Sequence, residues 1–401
     1  MVETALRDAI DEIQPGLVAD RRHLHENPEL GFQEFKTAEF VRQRLESLGV
    51  TDIRTGLAVT GVTGKIVGTA PGTGGHVLLR ADMDALPIQE ESDEEYVSQT
   101  DGVMHACGHD AHTAILLGVA RILSDRKDQF SGTVTFCFQP AEEMPPGGAI
   151  QMIEEANVLE GVDAVFALHM AAGLPTGEVA IAGGPVMAGG DLFRVTFQGT
   201  GGHAASPSEA DDPVIAAATA ITALQTIVSR NTDPMDRAVV SVCTFNGGEA
   251  FNVIPDTVEI GGTFRYFLPE VGEAIEKRIK EVCEDVASGL GCEARVEILR
   301  GYPPTVNDDS MAGLARQALV DALGEDAVRE SIPVMGGEDF AHFLLRKPGA
   351  YFNVGSYTER DGVNYGHHHP KFDIDEDSLA IGVRAMTSVA LKWLESNVAP
   401  S

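Results

Sequence analysis

Apolar positions along the chain follow two periods, one typical of helices and one typical of strands. Residues 36–48 carry apolar side chains at helical spacing and end at Gly49, which predicts an amphipathic helix. Residues 76–80 are a nearly continuous apolar run, which indicates a buried strand. Strands that alternate with helices favour an α/β layered domain. Further helices are predicted at 112–127, 309–323, 338–345 and 378–395, and further strands within 55–68 and at 133–138, 164–168 and 350–354.

The pattern changes after the Gly-rich segment 183–190. The next elements follow the order β-α-β-β-α-β, which is typical of a ferredoxin-like two-layer domain. We therefore predict an α/β fold in which a discontinuous α/β domain, residues 1–185 and 300–401, is interrupted by an inserted α+β domain, residues 186–299. The inserted elements are strand 192–197, helix 213–229, strands 239–245 and 258–267, helix 270–290 and strand 294–299.

Charge and cysteine content limit the classes of partner. The chain of 401 residues has 29 Lys plus Arg against 61 Asp plus Glu, a net charge of −32, which repels phosphate backbones and anionic membranes. No stretch approaches the run of about 18 apolar residues that a membrane span requires. The N-terminal residues lack the layout of a signal peptide. The five cysteines are an odd count without the spacing of a small disulfide domain, so we expect reduced thiols and a cytoplasmic protein. Four of them lie in apolar strand or helix contexts, where we expect them to pack in a core: Cys137, Cys243, Cys283 and Cys292.

The segment 104–112 has the highest density of reactive side chains. Its sequence MHACGHDAH places three His, one Cys and one Asp within eight residues. Imidazole, thiolate and carboxylate are the ligands that transition metals use. The alternative is a strand-to-helix turn whose polar side chains only satisfy one another. The density of His and Cys favours metal binding, although this segment alone supplies two or three ligands at most.

Other candidate side chains follow predicted strands. Glu142 and Glu143 come directly after strand 133–138, where one carboxylate could bind a metal ion while the other acts as a general base. The alternative is a solvated acidic turn. His169 ends the next strand, at the edge of an open α/β sheet where active sites gather. The cluster 367–369 adds three His, and Asp84 follows the buried strand at 76–80 as a possible support for a ligating His.

The segment 199–204, GTGGHA, fits a dinucleotide-binding fingerprint. That fingerprint requires a helix next and an acid about 20 residues later. Pro207 interrupts the residues where that helix would begin. Residue 219, near the place expected for the acid, lies inside a predicted helix and not at the end of a strand. We therefore interpret this segment as a Gly turn that presents His203.

Taken in order, these motifs resemble the M20 metallopeptidase family, and most closely its aminoacylase, hippurate hydrolase and auxin-conjugate hydrolase branch. The resemblance spans nearly the whole chain and includes RRHLHENPE (21–29), RADMDALP (80–87), MHACGHDAH, FQPAEE (138–143), GTGGHAA, FNVIPD (251–256), GTFR (262–265), GGEDF (336–340) and HPKFD (369–373). It implies an inserted domain that serves as lid and dimerisation domain, and a site with two metal ions. The implied metal ligands are Cys107, His109, Glu143, His169 and His368.

The same resemblance assigns the remaining roles. It implies Cys107 as a bridging thiolate and Glu142 as the catalytic base. It implies His203 as the residue that polarises the scissile carbonyl or stabilises its oxyanion, in the same chain or from a neighbouring subunit. Asn252 and Arg265 match substrate-binding positions, with Arg265 on a substrate carboxylate, although a strand Arg paired with a local acid is an alternative. Asp84 matches the acid that orients a ligating His.

Three departures from the family pattern leave alternatives open. The third His in the run 367–369 leaves the choice of His368 uncertain by one position. Gly337 stands where the motif usually has Ser, and Met170-Ala171-Ala172-Gly173 follows His169 in place of an aromatic or polar residue and Pro.

The predicted function is metal-dependent hydrolysis of N-acyl amino acids. The cofactors are two divalent ions per chain from among Zn, Mn, Co and Ni, because one thiolate with His and Glu disfavours Mg and Ca. A dipeptidase or carboxypeptidase of the same family and a metal-binding or ligand-binding protein without turnover are the alternatives. The expected partners are a small N-acyl amino acid or short peptide and a second copy of the chain, with no nucleic acid and no membrane.

Overall fold

The structure is a computed structural model that describes residues 2–360 and 362–397, with the backbone alone described for residues 2–4. The described chain divides into two compact units. The first comprises the described parts of Met1–Val186, Val306–Ile332 and Asp339–Ser401, and the second comprises Met187–Thr305 with Pro333–Glu338. The domain boundaries predicted from the sequence and the role of a lid stay predictions.

Regular structure covers most of the described residues. The helices are α1 (Val2–Glu26), α2 (Phe35–Ser47), α3 (His109–Ser124), α4 (Gly148–Glu154), α5 (Pro213–Thr226), α6 (Pro269–Gly289), α7 (Asp309–Leu323), α8 (Ala341–Leu344) and α9 (Ser378–Ser396). The strands are β1 (Thr51–Leu57), β2 (Gly61–Val67), β3 (His76–Asp82), β4 (Thr133–Gln139), β5 (Ala164–Ala171), β6 (Val179–Ile181), β7 (Gly184–Met187), β8 (Gly189–Gln198), β9 (Gly202–His203), β10 (Ala238–Asn246), β11 (Val253–Ile254), β12 (Thr257–Tyr266), β13 (Glu293–Tyr302), β14 (Thr305–Asn307), β15 (Val328–Glu330) and β16 (Gly349–Gly355).

The first unit is built on an eight-stranded mixed sheet, in the order β1-β2-β4-β3-β5-β16-β6-β15. Strand β3 is parallel to β4 on one side and to β5 on the other, and β5 is parallel to β16. These central strands are buried along almost their whole length, as expected for parallel strands with helices on the sheet faces. Helices α1, α3 and α9 supply much of the surrounding apolar core. The predicted α/β class is confirmed.

The second unit contains a four-stranded antiparallel sheet, in the order β10-β12-β8-β13. Helices α5 and α6 bury apolar side chains against the sheet, including Ala216, Leu224 and Ile279 beside Phe193 and Phe264. Its six main elements follow the order β8-α5-β10-β12-α6-β13, which is the β-α-β-β-α-β order predicted from the sequence.

Three predictions about these elements and residues are wrong. The helix predicted at 338–345 is reduced to Ala341–Leu344, because Asp339 lies in a turn and its carboxylate accepts hydrogen bonds from the Arg80 and Gln139 side chains and the Ala149 N–H. Cys243 is exposed, because the pairing of β10 with β12 shifts register between Val242 and Thr244 and leaves Cys243 in a bulge.

The third wrong prediction is that no apolar stretch approaches the length of a membrane span. Pro213–Asn231 is long and apolar enough to cross a membrane by length and composition, contrary to the expectation that no stretch comes close. One face of this helix is buried in the core of the second unit, and core helices pass the same test. All five cysteines are free thiols, as predicted.

Candidate metal centre

The predicted site residues of the first unit gather where three neighbouring strands end. Asp84 follows β3, Glu142 and Glu143 follow β4, and His169 lies near the carboxyl end of β5. Because these strands are parallel neighbours, their carboxyl ends lie at the same edge of the sheet. The sheet therefore brings together residues that are far apart in sequence.

Two further residues come from the start of α3. His109 is the first residue of this helix, and Gly108 before it adopts a φ of 90°, a left-handed conformation that favours glycine. A Cβ on Gly108 would lie 3.3 Å from the Cβ of Met170, next to His169. This turn allows Cys107 and His109 to reach the same cluster.

The five predicted ligands form two overlapping groups. In the first, ligand atoms of Cys107, His109 and His169 lie within 4.8 Å of one another, and in the second those of Cys107, Glu143 and His368 do. Cys107 belongs to both groups, and its Sγ lies 3.5 Å from His169 Nε2. This geometry fits a thiolate shared between two cations. His109, Glu142 and Glu143 form a third group, in which Glu142 is 6% exposed.

The ring orientations of two histidines also fit a metal site. His109 Nδ1 donates to Asp84 Oδ1 at 3.2 Å, and its buried Nε2 has no hydrogen-bond partner among the described residues. His169 Nδ1 donates to the Met170 carbonyl at 2.6 Å and leaves Nε2 facing Cys107. In metal sites, the nitrogen that does not bind the ion typically donates to a carboxylate or carbonyl. Orientation of His109 by Asp84 is what the family resemblance implies.

Asp84 also holds the acidic turn after β4. Its Oδ1 accepts the Glu142 N–H and its Oδ2 the Glu143 N–H, both at 3.0 Å. One carboxylate therefore positions a candidate ligand and the two adjacent glutamates.

The electrostatics of the cluster favour ionised donors. Burial raises the pKa of the Cys107 thiol, but the charge of His169, whose Nε2 faces the thiol, and the neighbouring rings of His109 and His367 lower it well below its usual range. Burial likewise raises the pKa of Glu143, but the contact with His368 and the positive charges of His109 and His368 together lower it below its ordinary value. Hydrogen bonds to Cys107 and Glu143 raise the pKa of His368 to about 10. Thiolate and carboxylate are the forms in which these side chains bind metal ions.

The His run 367–369 separates into three environments. His368 Nε2 lies 3.0 Å from Glu143 Oε1 and belongs to the second ligand group. His367 lies edge-on to His169 and its Nε2 accepts the Ala172 N–H at 3.4 Å. His369 stacks on Tyr365. This geometry favours the choice of His368.

Several residues support this cluster through contacts that the sequence does not predict. His112 uses both ring nitrogens, Nδ1 on Asp82 at 2.6 Å and Nε2 on the Met170 N–H at 2.9 Å. Arg21 is fully buried and donates to Asp110 and Asp373, each at 2.8 Å, thereby tying the start of α3 to the chain after His368. The RRHLHENPE motif contains Arg21, but its spacing gives no indication of these distant partners.

The remaining predicted residues lie in the second unit. His203 on β9 pairs with Val253 on β11, so Asn252 is its neighbour across this ribbon, and both are exposed. The Ala205 N–H donates to His203 Nδ1 at 3.0 Å, which leaves the proton of the neutral ring on Nε2. His203 can therefore donate a hydrogen bond outward.

Arg265 on β12 is half-buried. A Cβ on Gly190 would lie 2.5 Å from its Nη1, and one on Gly337 would lie 3.5 Å away. Within the described ranges its guanidinium has no hydrogen bond or ion pair. The alternative of pairing with a local acid is therefore not found.

A mixed α/β sheet that gathers thiolate, imidazole and carboxylate side chains at the ends of its central strands is the arrangement of a metal-dependent hydrolase. Comparison with known protein families identifies the family within this class. Residues 78–392 match the model of peptidase family M20/M25/M40, and the chain belongs to this family. It is an amide hydrolase.

Similar proteins cover nearly the whole chain. An IAA-amino acid hydrolase of Arabidopsis thaliana (ILR1-like 5) is 44% identical over 96% of this chain and 88% of its own. The N-acetyl-L-cysteine deacetylase of Bacillus subtilis (strain 168) is 40% identical over 97% of this chain and 90% of its own. The crystal structure of the Bacillus subtilis YXEP protein, described as a dinuclear metal-binding peptidase of the M20 family, superposes with a TM-score of 0.85 at 36% identity, over 96% of this chain and 99% of that one.

Proposed function

We propose that the protein hydrolyses the amide bond of N-acyl amino acids with two divalent metal ions held by Cys107, His109, Glu143, His169 and His368. The observation that carries this proposal is the membership of Cys107 in two ligand groups beside the buried Glu142. The names of two relatives, a hydrolase of amino acid conjugates and a deacetylase of an N-acetyl amino acid, support this substrate class.

The donor set fits two borderline metal ions. A shared thiolate, imidazoles and a carboxylate suit Zn, Mn, Co or Ni, and the buried His109 Nε2 lacks a hydrogen-bond partner in the described chain. Bound ions would lower the pKa of a shared water and polarise the amide oxygen.

The chain itself would handle the protons and the charge. Glu142 would accept a proton from the attacking water and pass it to the leaving amine. His203, with its proton on Nε2, would donate to the oxygen that becomes negative in the transition state. The guanidinium of Arg265 would bind the substrate carboxylate through two parallel hydrogen bonds, and Asn252 would contact the same substrate.

The test is amine release from a panel of N-acetyl and N-benzoyl amino acids and dipeptides. Metal-loaded and chelator-treated protein are compared, with Glu142→Gln as the variant and Glu143→Gln as a matched neighbour. We expect turnover that requires metal, a loss of at least about 10³-fold in Glu142→Gln with both ions retained, and loss of metal in Glu143→Gln. Turnover that survives chelation and Glu142→Gln would refute the assignment.

A second candidate function is peptide hydrolysis. The description of the YXEP protein as a peptidase favours it, and faster release from dipeptides than from N-acyl amino acids in the same panel would establish it. A binding protein without turnover would retain two ions and release no amine. Assembly as a homodimer through the second unit and a cytoplasmic location also stay predictions.

A further inference from the structure

The loop before α2 lies against the turn that carries Glu142. Glu34 ends this loop, and it is fully buried although it is the residue before the first turn of a helix. Its side chain does not cap α2. Instead, Oε1 accepts the Ala141 N–H at 2.9 Å and Oε2 accepts the Thr60 hydroxyl at 2.6 Å.

Ala141 is a position where the backbone needs support. It has a φ of 53°, in the left-handed region that residues with a Cβ avoid, and it is completely buried. Such a conformation persists only where its surroundings fix it. The Ala141 N–H must also have an acceptor, because water does not reach it.

Three consecutive N–H groups in this turn are bound by carboxylates. Glu34 accepts from Ala141, while Asp84 accepts from Glu142 and Glu143. The turn is therefore held from both sides, by a loop near the N-terminus and by the end of β3.

The loop approaches the turn closely at a second point. A Cβ on Gly31 would lie 3.0 Å from the Cβ of Ala141 and 2.9 Å from the Sδ of Met144, so glycine allows this close approach without displacing either neighbour. The loop is itself fixed, because the Glu29 carbonyl accepts the Ala85 N–H at 2.8 Å and its carboxylate accepts two N–H groups at the start of α2, each at 2.9 Å.

We propose that Glu34 is a positioning residue that holds the left-handed turn at Ala141 and thereby keeps Glu142 oriented as the base. This proposal rests on the proposed function for the role of Glu142. A base must be held within a fraction of an ångström of its reacting geometry, and misplacement by about 1 Å can cost 10²-fold in rate. Glu34 would act through the backbone and would not touch the substrate.

The test uses three variants that separate the two hydrogen bonds of Glu34. Glu34→Leu keeps most of the volume and removes both acceptors. Glu34→Gln keeps an acceptor for Ala141 and can donate to Thr60, so it is the conservative rescue. Thr60→Val is the matched control, because it removes the other partner of Glu34 and leaves the bond to Ala141.

Activity and metal content are measured on the full-length protein. For Glu34→Leu we expect kcat to fall about 30-fold with KM changed less than about threefold, and both ions to be retained. Glu34→Gln and Thr60→Val should stay within about threefold of the unchanged protein. A folded Glu34→Leu with normal kcat, or a Glu34→Gln as impaired as Glu34→Leu, would overturn the proposal.

Hydrogen exchange of the amides at 141–143 in chelator-treated protein provides a readout that needs no turnover. Exchange should be about tenfold faster in Glu34→Leu and unchanged in Thr60→Val. If the unchanged protein shows no turnover, the proposed function fails, whereas the exchange rates still decide whether Glu34 holds the turn. If Glu34→Leu does not fold, Glu34→Asp, one methylene shorter, takes its place under the same criteria.

Discussion

The two units hold most of their predicted site residues in opposite ways, and the exposed His368 is the exception in the first unit. In the first unit, His109 is 1% exposed and Cys107 9% exposed, and Asp84 alone accepts three hydrogen bonds from the cluster. In the second unit, His203 and Asn252 are exposed, and the Arg265 guanidinium has no polar partner within the described ranges.

This difference matches the two kinds of chemistry proposed. Metal ligands bind an ion in their deprotonated form and in a fixed geometry, so they need supporting hydrogen bonds that orient them. Groups that bind a substrate need free donors, because a donor already paired inside the protein would lose that bond on binding. We therefore expect changes in the first unit to alter metal content or base geometry, and changes in the second to alter kinetics alone.

The largest effect is expected at the centre of the first unit. Cys107→Ala removes the donor common to both ligand groups, so we expect fewer than two ions per chain and a loss of activity of at least about 10³-fold. Metal analysis after gel filtration, together with amine release, measures both. Cys137→Ala is the control, because Cys137 is a buried thiol on β4 outside both groups. Full metal content in Cys107→Ala would contradict the shared thiolate.

The next largest effect is expected at His203. His203→Ala removes the Nε2 donor, and we expect kcat to fall about 10²-fold to 10³-fold with two ions still bound. His23→Ala is the control, because His23 is exposed on α1 and stacks on Phe40. If His203→Ala loses metal instead, the division of labour between the units is wrong.

Comparison of these residues with the sequence shows what the sequence can and cannot predict. Cys107 and His109 were identifiable because His and Cys are rare and crowd into one segment. The sheet order then places them beside the strand ends that carry Glu142, Glu143 and His169. The burial of β3, β4 and β5 follows from continuous apolar runs, which is why the fold class was predictable.

Glu34 was not predictable for the opposite reason. It is one of 61 acids, and its partner Ala141 is 107 residues away. Arg21 likewise reaches Asp110 and Asp373 across distances that no periodicity encodes. Cys243 was expected in a core because its neighbours are apolar, but a bulge turns it outward. Local patterns thus identify ligands and elements, whereas the supporting contacts depend on tertiary packing.

The free energy of unfolding of the first unit should also depend on pH through Glu34. Burial, with a smaller contribution from the nearby Asp84 charge, raises the pKa of Glu34 from its ordinary value of 4.5 to about 7. Between these values the folded state binds more protons than the unfolded state, so the contribution of Glu34 to the free energy of unfolding falls as pH rises from 4.5 to 7. Glu34→Gln does not titrate.

We therefore expect the stability of Glu34→Gln relative to the unchanged protein to rise by about 2 kcal/mol from pH 5 to pH 8. Urea unfolding at both pH values, in the presence of a chelator, measures this difference. The same difference at pH 5 and pH 8 would mean that Glu34 titrates normally.

The smallest effect distinguishes two glycines that flank Arg265. An added Cβ at Gly190 would meet Nη1, Cδ and Cζ of Arg265 at 2.5 to 2.8 Å, whereas one at Gly337 would meet Nη1 at an ordinary 3.5 Å. Because the end of a long side chain moves easily, Gly190→Ala should displace the guanidinium with little change in stability.

We expect Gly190→Ala to raise KM about fivefold for substrates with a free carboxylate and to leave amide-capped analogues unchanged. Gly337→Ala should change neither, because it leaves Arg265 in place. Equal changes for both classes of substrate would show that Arg265 does not bind the carboxylate, and the unpaired guanidinium of the second unit would then need another ligand.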